Sequence, residues 1–458
     1  MRVLLLAFEC NPEWYSLPAV AYYYAETLAQ HVDELVVVTQ IQNKENIEKH
    51  GGIKGAKVVF LDVESIVRPF ENLAVFLMGG HKRNVGWTIY RALMYPAYVY
   101  FEWSVWKHFK SELTQERFDI VHRLTPMTPT LPSPIAKWSP VPFVLGPLNG
   151  GLRWPKQFSA EQGREREWLS NFRDAYKLLP FQKSTYKNCD AVLAAFNHTI
   201  VDLPDAAQPN IINFPEVGID PSLFNLPVRG SKEKLTILYV GRLVPYKMPE
   251  VVIQAFGRSS ILQQHQLIMA GDGAERSRLE EIVAEKHLEH CVQILGQVSH
   301  ETVSQLMQEA DIFAFPSIRE LGAGAVIEAM ACGLTCVVVD YGGCGGLVAA
   351  DRGVKVPIGD TEHLIQSFVE ALEALVQDPE RVKKLGENAY HHALALYSWD
   401  AKARKNLQVY DWVLGHRSDK PDFWEPIALE PTESLNQPHS DSSENGKPAV
   451  PKVLDSRS

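Results

Sequence analysis

The sequence predicts an α/β fold built from two parallel sheets, and three observations lead to this prediction. Short runs rich in valine, isoleucine and leucine alternate with longer helical patterns from residue 1 to about residue 415, as in chains of βαβ units. The length of 458 residues corresponds to roughly two or three domains of ordinary size. A hydrophobic content of 46% supplies enough apolar side chains for a core in each domain.

The first half of the chain contains six predicted strands, all of them apolar on consecutive residues. Such strands are typical of parallel sheets that helices cover on both faces. We therefore predict a first doubly wound, Rossmann-like domain over residues 1–215. Its predicted strands are residues 2–8, 35–39, 57–62, 119–124, 142–146 and 191–196.

The pattern breaks at residues 214–234, FPEVGIDPSLFNLPVRGSKEK, which contain three prolines and two glycines. Prolines and glycines interrupt regular elements, so we place a linker at residues 216–234. A second Rossmann-like domain is predicted over residues 235–398, followed by a helix over residues 399–416. Its strands are predicted at residues 235–240, 266–270, 292–295, 312–315, 335–339 and 354–357, and the final helices at about residues 361–378, 381–396 and 399–414.

Residues 417–458 are predicted to be a disordered C-terminal tail. Proline, serine, asparagine and charged residues dominate there, and no apolar period of 2 or 3.6 remains. Such a composition buries too little apolar surface to offset the entropy of ordering the chain.

Composition and charge exclude several functional classes. The 45 basic and 55 acidic side chains give a formal net charge of −10, which provides no broad positive field for a nucleic acid. The six cysteines have no paired metal-ligand spacing, and no secretory signal precedes them, so we expect reduced thiols and a cytoplasmic location. No segment of the sequence approaches the ~20 apolar residues of a membrane-spanning helix.

Ligands of open parallel sheets bind beyond the carboxyl ends of the strands, so the loops there are the first places to search. The first strand continues into ECNPEWYSLPAV and not into a G-x-G-x-x-G dinucleotide fingerprint, and no Walker A motif occurs in the chain. Oxidoreductase and P-loop phosphotransfer functions therefore lose their main support.

Two cationic side chains follow the first strand of the second domain. Gly241 ends the strand, Arg242 comes next, and Lys247 lies five residues further along the same loop. A guanidinium and an ammonium together suit a diphosphate whose negative charge grows as it leaves. The alternative is an ordinary surface loop, in which arginine and lysine are common.

Two glutamates flank a glycine-rich turn after the fourth strand of the second domain, in FPSIRELGAGAVIEAMACG. Glu320 lies in the loop, and Glu328 lies on a helix predicted to start at about Gly324. The free N–H groups at the start of that helix would hold phosphate oxygens, and both carboxylates would accept hydrogen bonds from sugar hydroxyls. The alternative is a common strand-to-helix turn with two solvated glutamates.

Together these motifs resemble those of the retaining glycosyltransferases of family 4, which have the GT-B fold. The resemblance covers essentially residues 1–415, and short motifs in a fixed order along the chain carry it. They are RVLLLAFECNP at the start, GPLNGG at 146–151, Gly241-Arg242 with Lys247, AGDG at 270–273, Glu320-x7-Glu328 with AMACG, and DYGGCGG at 340–346.

The resemblance implies a GT-B fold in which two Rossmann-like doubly wound domains face each other across a cleft. Residues 1–215 would form the acceptor side and residues 235–398 the nucleotide-sugar donor side, and the helix over 399–416 would cross back to the first domain. The implied reaction, of hexosyltransferase type, moves a sugar from a nucleotide-sugar donor to a glycan or lipid-linked acceptor with retention of anomeric configuration. Polysaccharide, exopolysaccharide or glycolipid biosynthesis is the expected context. Neither a metal ion nor another cofactor is expected, and no Asp-x-Asp motif occurs.

The resemblance also implies roles for the residues named above. Arg242 and Lys247, beside Gly241, would neutralise the donor diphosphate and stabilise the leaving group. Glu320 would contact the donor sugar near the anomeric carbon, and Glu328 would bind the ribose hydroxyls. The backbone that would line the phosphates and the sugar comes from Gly322, Ala323, Gly324 and Ala325.

His122, near the end of the fourth strand, is the candidate histidine close to the scissile bond. Family members with an H-x-H pattern use the second histidine, and Leu124 occupies that position here. The alternative is a strand-end histidine that packs or forms structural hydrogen bonds. We place the turn at residues 149–151 on the acceptor side of the cleft, since its glycines allow a ligand to approach the backbone.

Two departures from the family pattern leave a second hypothesis open. Bulky Trp14 and Tyr15 stand where the family has the small residues of a Gly-Ser-Glu loop. Cys344 and Gly346 replace a proline and a glutamate near the donor. These changes are compatible with an altered donor, an altered acceptor, or a catalytically silent nucleotide-sugar-binding or scaffold protein.

Residues 87–109 contain nine of the 45 aromatic side chains, whereas average usage predicts about two. Tryptophan and tyrosine favour membrane–water interfaces, so this segment is a candidate for peripheral contact with the inner face of a membrane. The alternative is an aromatic core formed by two helices interrupted at Pro96. Glu102 favours the alternative, because a carboxylate opposes attraction to anionic lipids.

Overall fold

The computed structural model describes residues 1–14, 16–77, 87–164, 176–227, 230 and 232–425. Tyr15 and residues 426–458, the greater part of the predicted tail, lie outside the described residues. The described chain contains two parallel sheets with helices between their strands. The α/β class predicted from the alternation of strand and helix patterns is confirmed.

The first sheet has seven parallel strands: β1 Arg2–Ala7, β2 Glu34–Gln40, β3 Ala56–Leu61, β4 Ile120–Thr125, β5 Phe143–Leu148, β6 Ala191–Ala194 and β7 Ile211–Asn213. Their order across the sheet is β3-β2-β1-β4-β5-β6-β7. The predicted strands agree with β1 to β6 to within about two residues. The sequence pattern missed β7, because a strand of three residues is too short to show an apolar run.

The second sheet has six parallel strands: β8 Thr236–Val240, β9 Gln266–Ala270, β10 Val292–Gly296, β11 Ile312–Phe315, β12 Thr335–Val339 and β13 Gly353–Val356. Their order is β10-β9-β8-β11-β12-β13. Each strand lies within about one residue of its predicted position. Strands β11 and β12 are buried at every residue, which explains their continuous apolar sequences.

Helices connect the strands in both halves of the chain. In the first half they are α1 Leu17–Leu28, α2 Lys44–Lys49, α3 Glu64–Leu77, α4 Trp87–Thr114, α5 Ile135–Trp138, α6 Ser159–Arg164, α7 Gln182–Lys187 and α8 Phe196–Ile200. In the second half they are α9 Glu250–Arg258, α10 Arg276–Glu285, α11 His300–Glu309, α12 Gly324–Ala331, α13 Gly342–Leu347, α14 Thr361–Val376, α15 Pro379–Tyr397 and α16 Trp399–Val413.

The strand order reverses once in each sheet, between β1 and β4 in the first and between β8 and β11 in the second. At such a point the loops after two neighbouring strands run in opposite directions and leave a crevice at the carboxyl edge. In the second sheet these loops carry Arg242, Lys247 and Glu320. The fold therefore places these predicted residues where open α/β sheets bind ligands.

The last helix, α16, packs against α1 near the start of the chain. Tyr24 of α1 donates a buried hydrogen bond to the Asn406 side chain at 2.6 Å. The Trp399 ring lies 6.2 Å from the Tyr23 ring, and a Cβ at Gly218 would come within 2.5 Å of that tryptophan ring. These contacts attach the end of the second half to the first half.

Residues 417–425 do not belong to a disordered tail, contrary to the prediction from composition. Phe423 is 1% exposed, and its ring centroid lies 5.2 Å from that of Phe214. Lys405 of α16 donates a hydrogen bond to the carbonyl oxygen of Asp422 at 2.9 Å. One buried aromatic side chain holds this segment in place, and the average composition of the segment conceals it.

The aromatic segment forms the single helix α4, and not two helices interrupted at Pro96. Proline removes one backbone hydrogen bond from a helix interior. The buried side chains of Met94 and Tyr98, on either side of it, hold the helix against the first sheet. Phe101 and Phe109 are also buried, so much of the aromatic excess belongs to the core.

Trp103 of α4 is 43% exposed, and the Lys107 ammonium lies 5.3 Å from its ring centroid. Glu102, by contrast, is buried and accepts hydrogen bonds from Ser133 at 2.8 Å. Burial raises the pKa of Glu102 to about 7, so its side chain is a core group and its predicted effect on lipid attraction is wrong. Over the parts of the chain that the structure describes, no helix is both long and apolar enough to cross a membrane.

Candidate functional site

The loop after β9 holds the loop after β8 in place. The Leu243 amide donates a hydrogen bond to the carbonyl of Asp272 at 2.9 Å. A Cβ at Gly271 would overlap the carbonyl oxygen of Gly241, and one at Gly273 would overlap the carbonyl oxygen of Leu243 in the same loop. The AGDG motif therefore needs its glycines because backbone packs directly on backbone here.

Lys247 and Glu320 form an ion pair at the carboxyl edge of the second sheet. The Lys247 ammonium donates a hydrogen bond to Oε1 of Glu320 and lies 4.8 Å from the ring centroid of Phe315. Only 11% of the lysine side chain and 16% of the glutamate side chain are exposed. Burial by itself lowers the pKa of Lys247, but the Glu320 carboxylate outweighs burial and raises it. Lys247 therefore remains a fixed positive charge.

Arg242 lies exposed on the same loop, and Tyr246 anchors it. The guanidinium donates a hydrogen bond to the Tyr246 hydroxyl at 2.6 Å. The guanidinium carbon lies 5.9 Å and the Lys247 ammonium 5.6 Å from the centroid of the Tyr246 ring. Both predicted cations thus share one aromatic neighbour, which sequence reasoning did not identify.

Hydrogen bonds also hold the loop after β11. Ser317 donates a hydrogen bond from its hydroxyl to Oε1 of Glu320 at 3.2 Å. The Gly343 amide donates to the carbonyl oxygen of Glu320 at 2.8 Å. A Cβ at Gly342 would lie 2.5 Å from that same carbonyl oxygen. The position of the Glu320 carboxylate is therefore set by its protein neighbours.

A tight turn leads from this loop into α12. Ala323 precedes the helix in the left-handed conformation, with φ of 48°, which costs an alanine roughly 1 kcal/mol. At Gly322, a Cβ would overlap the carboxylate of Glu216. Gly324 and Ala325 begin α12, where the first amides of a helix have no partner within the helix. The predicted backbone residues thus form one turn whose amides are available to an anion.

Glu328 lies on α12 and pairs with His300, the first residue of α11. The distance between His300 Nε2 and Glu328 Oε1 is 3.3 Å. The hydrogen bond to Glu328 is the main reason why the pKa of His300 is raised. Sequence reasoning missed His300, because residues 28 positions apart meet here without a motif that links them.

Glu216, in the predicted linker, is buried between the two halves of the described chain. Asn149 of the GPLNGG turn donates a hydrogen bond to Oε1 of Glu216 at 2.7 Å. Burial raises the pKa of Glu216. Burial also lowers the pKa of Lys402 to about 7, although Glu216 opposes that shift. The Glu216 carboxylate therefore lies between the turn that contains Asn149, predicted for the acceptor side, and the turn that contains Gly322.

The residues after the GPLNGG turn reach across to the second half of the chain. The Tyr341 hydroxyl donates a hydrogen bond to the carbonyl of Arg153 at 2.7 Å. The Arg319 guanidinium lies 5.2 Å from the ring of Trp154, and that ring lies 6.5 Å from the ring of Tyr246. Trp154 thus touches both the loop that carries the cations and the loop that carries Glu320.

His122 does not lie at the cleft, which contradicts its predicted role near a scissile bond. The side chain is 0% exposed, and Nε2 and Nδ1 lie 2.7 Å from the Gly146 carbonyl and from the Tyr410 hydroxyl, respectively. Because a carbonyl only accepts, Nε2 carries the proton and Nδ1 accepts from Tyr410. Burial lowers the pKa of His122 to about 4. The alternative interpretation therefore applies: His122 packs in the core, and its hydrogen bonds join α16 to the first sheet.

The structure explains one departure from the family pattern. A Cβ at Gly346 would lie 2.6 Å from the ring of Phe196, so a glutamate does not fit there while that ring keeps its place. Trp14, in the loop after β1, is 40% exposed. Tyr15 lies outside the described residues. At position 346, the Phe196 ring from the first half of the chain thus occupies the space that a glutamate side chain would need.

Metal-binding and thiol chemistry find little support in the described side chains. No cluster of three or more histidine, cysteine, aspartate or glutamate residues suited to a metal ion occurs in the parts of the chain that are described. The six cysteines are buried and form no disulfide. Burial raises the pKa of Cys344, which lies near Glu320, well above its usual range. That thiol is therefore not an activated nucleophile.

Residues 226–392 match the family model of glycosyl transferases group 1. This range contains the cationic loop, the AGDG motif and both predicted glutamates. The resemblance of these motifs to the glycosyl transferases group 1 is confirmed by the match over this range.

Curated relatives match this chain over somewhat less than half of its length. The phosphatidylinositol N-acetylglucosaminyltransferase GPI3 subunit of Saccharomyces cerevisiae is 25% identical over 43% of this chain and 43% of its own length. The D-inositol 3-phosphate glycosyltransferase of Jonesia denitrificans is 26% identical over 45% and 52% of the two chains. The alpha-D-kanosaminyltransferase of Streptomyces kanamyceticus is 29% identical over 40% and 46%. The chain thus spans about half the length of the curated relatives that it matches.

Solved structures resemble nearly the whole described chain. Sucrose-phosphate synthase from Thermosynechococcus elongatus has a TM-score of 0.59 at 19% identity, covering 91% of this chain and 100% of that one. A glycosyltransferase from Rickettsia africae has a TM-score of 0.58 at 15% identity, covering 91% and 99%. Anabaena HepE in complex with UDP has a TM-score of 0.57 at 16% identity, covering 89% and 99%. This likeness establishes the GT-B fold that the motifs implied.

Proposed function

We propose that this chain, whose residues 226–392 belong to the glycosyl transferases group 1, transfers a sugar from a nucleotide-sugar donor to a glycan or lipid-linked acceptor with retention of anomeric configuration. The observation that carries the proposal is the Lys247–Glu320 ion pair beside Arg242, at the strand-order reversal of the second sheet. A fixed positive charge and a fixed carboxylate stand together where such folds bind ligands.

The leaving group of this donor is a nucleoside diphosphate, whose negative charge grows as the sugar departs. Lys247 is mostly buried and charged, and its attraction to a phosphate is stronger there than in water. Arg242 adds a planar fork that suits two phosphate oxygens. The amides at the start of α12 add a third source of positive potential. In the proposal these groups together stabilise the departing diphosphate.

Glu320 is assigned to the transferred sugar, and Glu328 to the ribose hydroxyls. The Glu320 carboxylate accepts hydrogen bonds from Lys247 and Ser317. A carboxylate that is already held in place loses little conformational entropy when a sugar hydroxyl binds to it. Retention rests on the motif resemblance, and the coupling constant of the anomeric proton in the product measures it directly.

The names of the relatives suggest the acceptor class. The GPI3 relative is named a phosphatidylinositol N-acetylglucosaminyltransferase, and one bacterial relative a D-inositol 3-phosphate glycosyltransferase. We therefore propose that the acceptor is a glycan or a glycolipid. The reaction would then belong to polysaccharide or glycolipid biosynthesis. The proposed location is cytoplasmic, with the exposed Trp103 and Lys107 of α4 against the inner face of a membrane. No metal ion or other cofactor enters the proposal.

The second candidate function is a catalytically silent nucleotide-sugar-binding or scaffold protein. One observation favours it, namely that the Phe196 ring fills the space beside Gly346 where the family has a glutamate. Such a protein would keep the cationic loop for binding but would lack the carboxylate that the family has at the position of Gly346.

A set of UDP- and GDP-sugars, tested for turnover and for binding, separates the two functions. We expect release of nucleoside diphosphate from at least one donor, and a loss of roughly 100-fold in Glu320→Ala. Glu370→Ala, an exposed carboxylate on α14 that pairs with Gln366, is the matched control and should keep full activity. Binding in calorimetry without turnover of any donor would favour the silent protein. Unchanged turnover in Glu320→Ala would show that the site is assigned wrongly.

A further inference from the structure

His300 stands where it can hold the Glu328 carboxylate in one orientation. It is the first residue of α11, and Glu328 lies on the neighbouring helix α12. The imidazole Nε2 lies 3.3 Å from Oε1 of Glu328, and 55% of the histidine side chain and 23% of the glutamate side chain are exposed. The pair is therefore formed at the protein surface, within reach of a ligand.

The imidazole also contacts an aromatic ring of the linker. The ring of Phe224, in the linker, lies 5.2 Å from the His300 ring at an angle of 64°. Gln308 of α11 donates a hydrogen bond to the carbonyl of Leu223 at 3.2 Å. The linker is thus attached to the helix that begins with His300, and the imidazole contacts both an aromatic ring and a carboxylate.

The fold also places this pair next to the AGDG loop. The Gly271 amide donates a hydrogen bond to the carbonyl of Gly296 at 2.8 Å, which joins the loop after β9 to the loop after β10. The loop after β10 leads directly into α11 and His300. His300 therefore belongs to the same edge of the sheet as the cationic loop, on the side of β9 and β10.

We infer that His300 is a positioning residue for Glu328 and thereby sets the affinity for the nucleoside half of a nucleotide-sugar donor. The inference rests on the proposed function, which assigns Glu328 to the ribose. An imidazole N–H that donates to Oε1 leaves the remaining acceptor sites of the carboxylate for the two ribose hydroxyls. Without that hydrogen bond the glutamate side chain is free to change rotamer. Binding of a nucleotide sugar then has to order the side chain again.

The protonated imidazole should hold the carboxylate more firmly than the neutral one. Charge-assisted hydrogen bonds are roughly twice as strong as neutral ones. The positive charge also offsets the repulsion between Glu328 and a diphosphate. The groups that face His300 are Glu328 from α12, Glu301 from its own helix and the Phe224 ring from the linker, and the two carboxylates both favour the charged imidazole. Donor affinity should therefore increase as the pH falls.

Calorimetry with UDP-glucose and GDP-mannose at about pH 6 and about pH 8.5 tests the inference. Their diphosphates are diesters and do not titrate in this range, so the probes themselves add no pH dependence. His300→Leu removes the hydrogen-bond donor to Glu328. His300→Gln keeps an N–H hydrogen-bond donor but cannot become charged. His416→Leu and His416→Gln are matched controls, since His416 pairs with Asp411 at 3.4 Å and is 64% exposed.

For a donor that binds, we expect His300→Leu to weaken affinity roughly five- to tenfold. His300→Gln should restore affinity at the higher pH to within about threefold of the parent, without the gain at the lower pH. Both His416 variants should behave as the parent does. Unchanged affinity in His300→Leu, or an equal loss in the His416 variants, would overturn the inference and leave the proposed function intact. If neither probe, nor any other donor of the set, bound to the parent chain, the proposed function would fail and the inference with it.

Discussion

The carboxyl edges of the two sheets present different kinds of polar side chain. At the edge of the second sheet, Lys247 and Glu320 form a charged pair that is partly open to solvent. In the first sheet, His122 lies within β4 and is neutral and fully buried, and Asn149, directly after the carboxyl end of β5, is 4% exposed. Two sheets with similar strand patterns therefore differ in the charge and the burial of their polar side chains. The charged pair of the second sheet is accessible to a ligand, whereas His122 and Asn149 of the first sheet connect parts of the fold.

The comparison predicts its largest effect at Lys247. Lys247→Ala should lower kcat/KM for a nucleotide sugar by roughly 100- to 1,000-fold, because it removes the mostly buried cation that is assigned to the leaving diphosphate. Steady-state release of nucleoside diphosphate measures the loss, and the melting temperature shows whether the variant is folded.

Lys232→Ala is the matched control for this substitution. Lys232 pairs with Asp311 at 3.2 Å, near the amino edge of the same sheet. The control should keep its activity, because the pair lies at the edge opposite to the site. Equal losses in the two variants would mean that charge at the carboxyl edge has no special role, and the comparison between edges would no longer hold.

The second effect is on stability and concerns the first sheet. His122→Gln should lower the free energy of unfolding at neutral pH by about 1–3 kcal/mol, since the buried hydrogen bonds to Gly146 and Tyr410 are disturbed. Donor turnover per folded molecule should not change. Chemical denaturation and turnover, measured on the same preparation, check both statements. A loss of turnover without a loss of stability would place His122 in the reaction after all.

The pH dependence of stability gives the same substitution a separate signature. The pKa of His122 is about 4 in the folded chain, against 6.5 for the ordinary group. Between these values only the unfolded chain binds the proton, so stability is complete above the ordinary pKa and declines as the pH falls towards 4. The decline attributable to His122 is roughly 3 kcal/mol, and His122→Gln should lack it. His416→Gln, at an exposed histidine, should retain it.

Sequence reasoning predicted the parts of the fold that depend on local pattern. Strands β8 to β13 follow from apolar runs between helical segments. AGDG was identified only as part of a motif, and the close backbone packing that requires its glycines was not predicted. The order of the segment around Phe423 and the continuity of the helix through Pro96 were predicted wrongly. Both depend on the tertiary contacts of nearby side chains, which the local sequence does not show. A single buried ring orders a polar segment, and a proline stays within a helix that is packed on both sides of it.

At the candidate site, the predictable residues were those close together in the chain or in a known motif. Arg242, Lys247 and Glu320 come from two loops at one strand-order reversal, and Glu328 comes from helix α12, which follows the second of these loops. The partner of Glu328 could not be predicted, since it arrives from a different loop. His122 was misplaced for a related reason: Tyr410, 288 residues later in the chain, covers it.

The smallest expected effect tests how much the first half of the chain contributes to the site. Trp154→Ala removes the ring that faces Arg319 at 5.2 Å but leaves the cationic loop and the Glu320 loop in place. A cation–π contact of this kind contributes about 1 kcal/mol, so KM for the donor should rise roughly fivefold with little change in kcat. Trp154→Phe should recover part of the loss.

Trp103→Ala is the control for this last substitution, because Lys107 lies 5.3 Å from that ring on α4, away from the site. It should leave KM unchanged, and co-flotation of the same variant with anionic vesicles would report separately on the proposed membrane contact. A loss of 100-fold or more in Trp154→Ala would equal the effect expected at Lys247. In that case the first half of the chain would supply as much to the site as the second, and the contrast between the two edges would have to be replaced by a site shared between them.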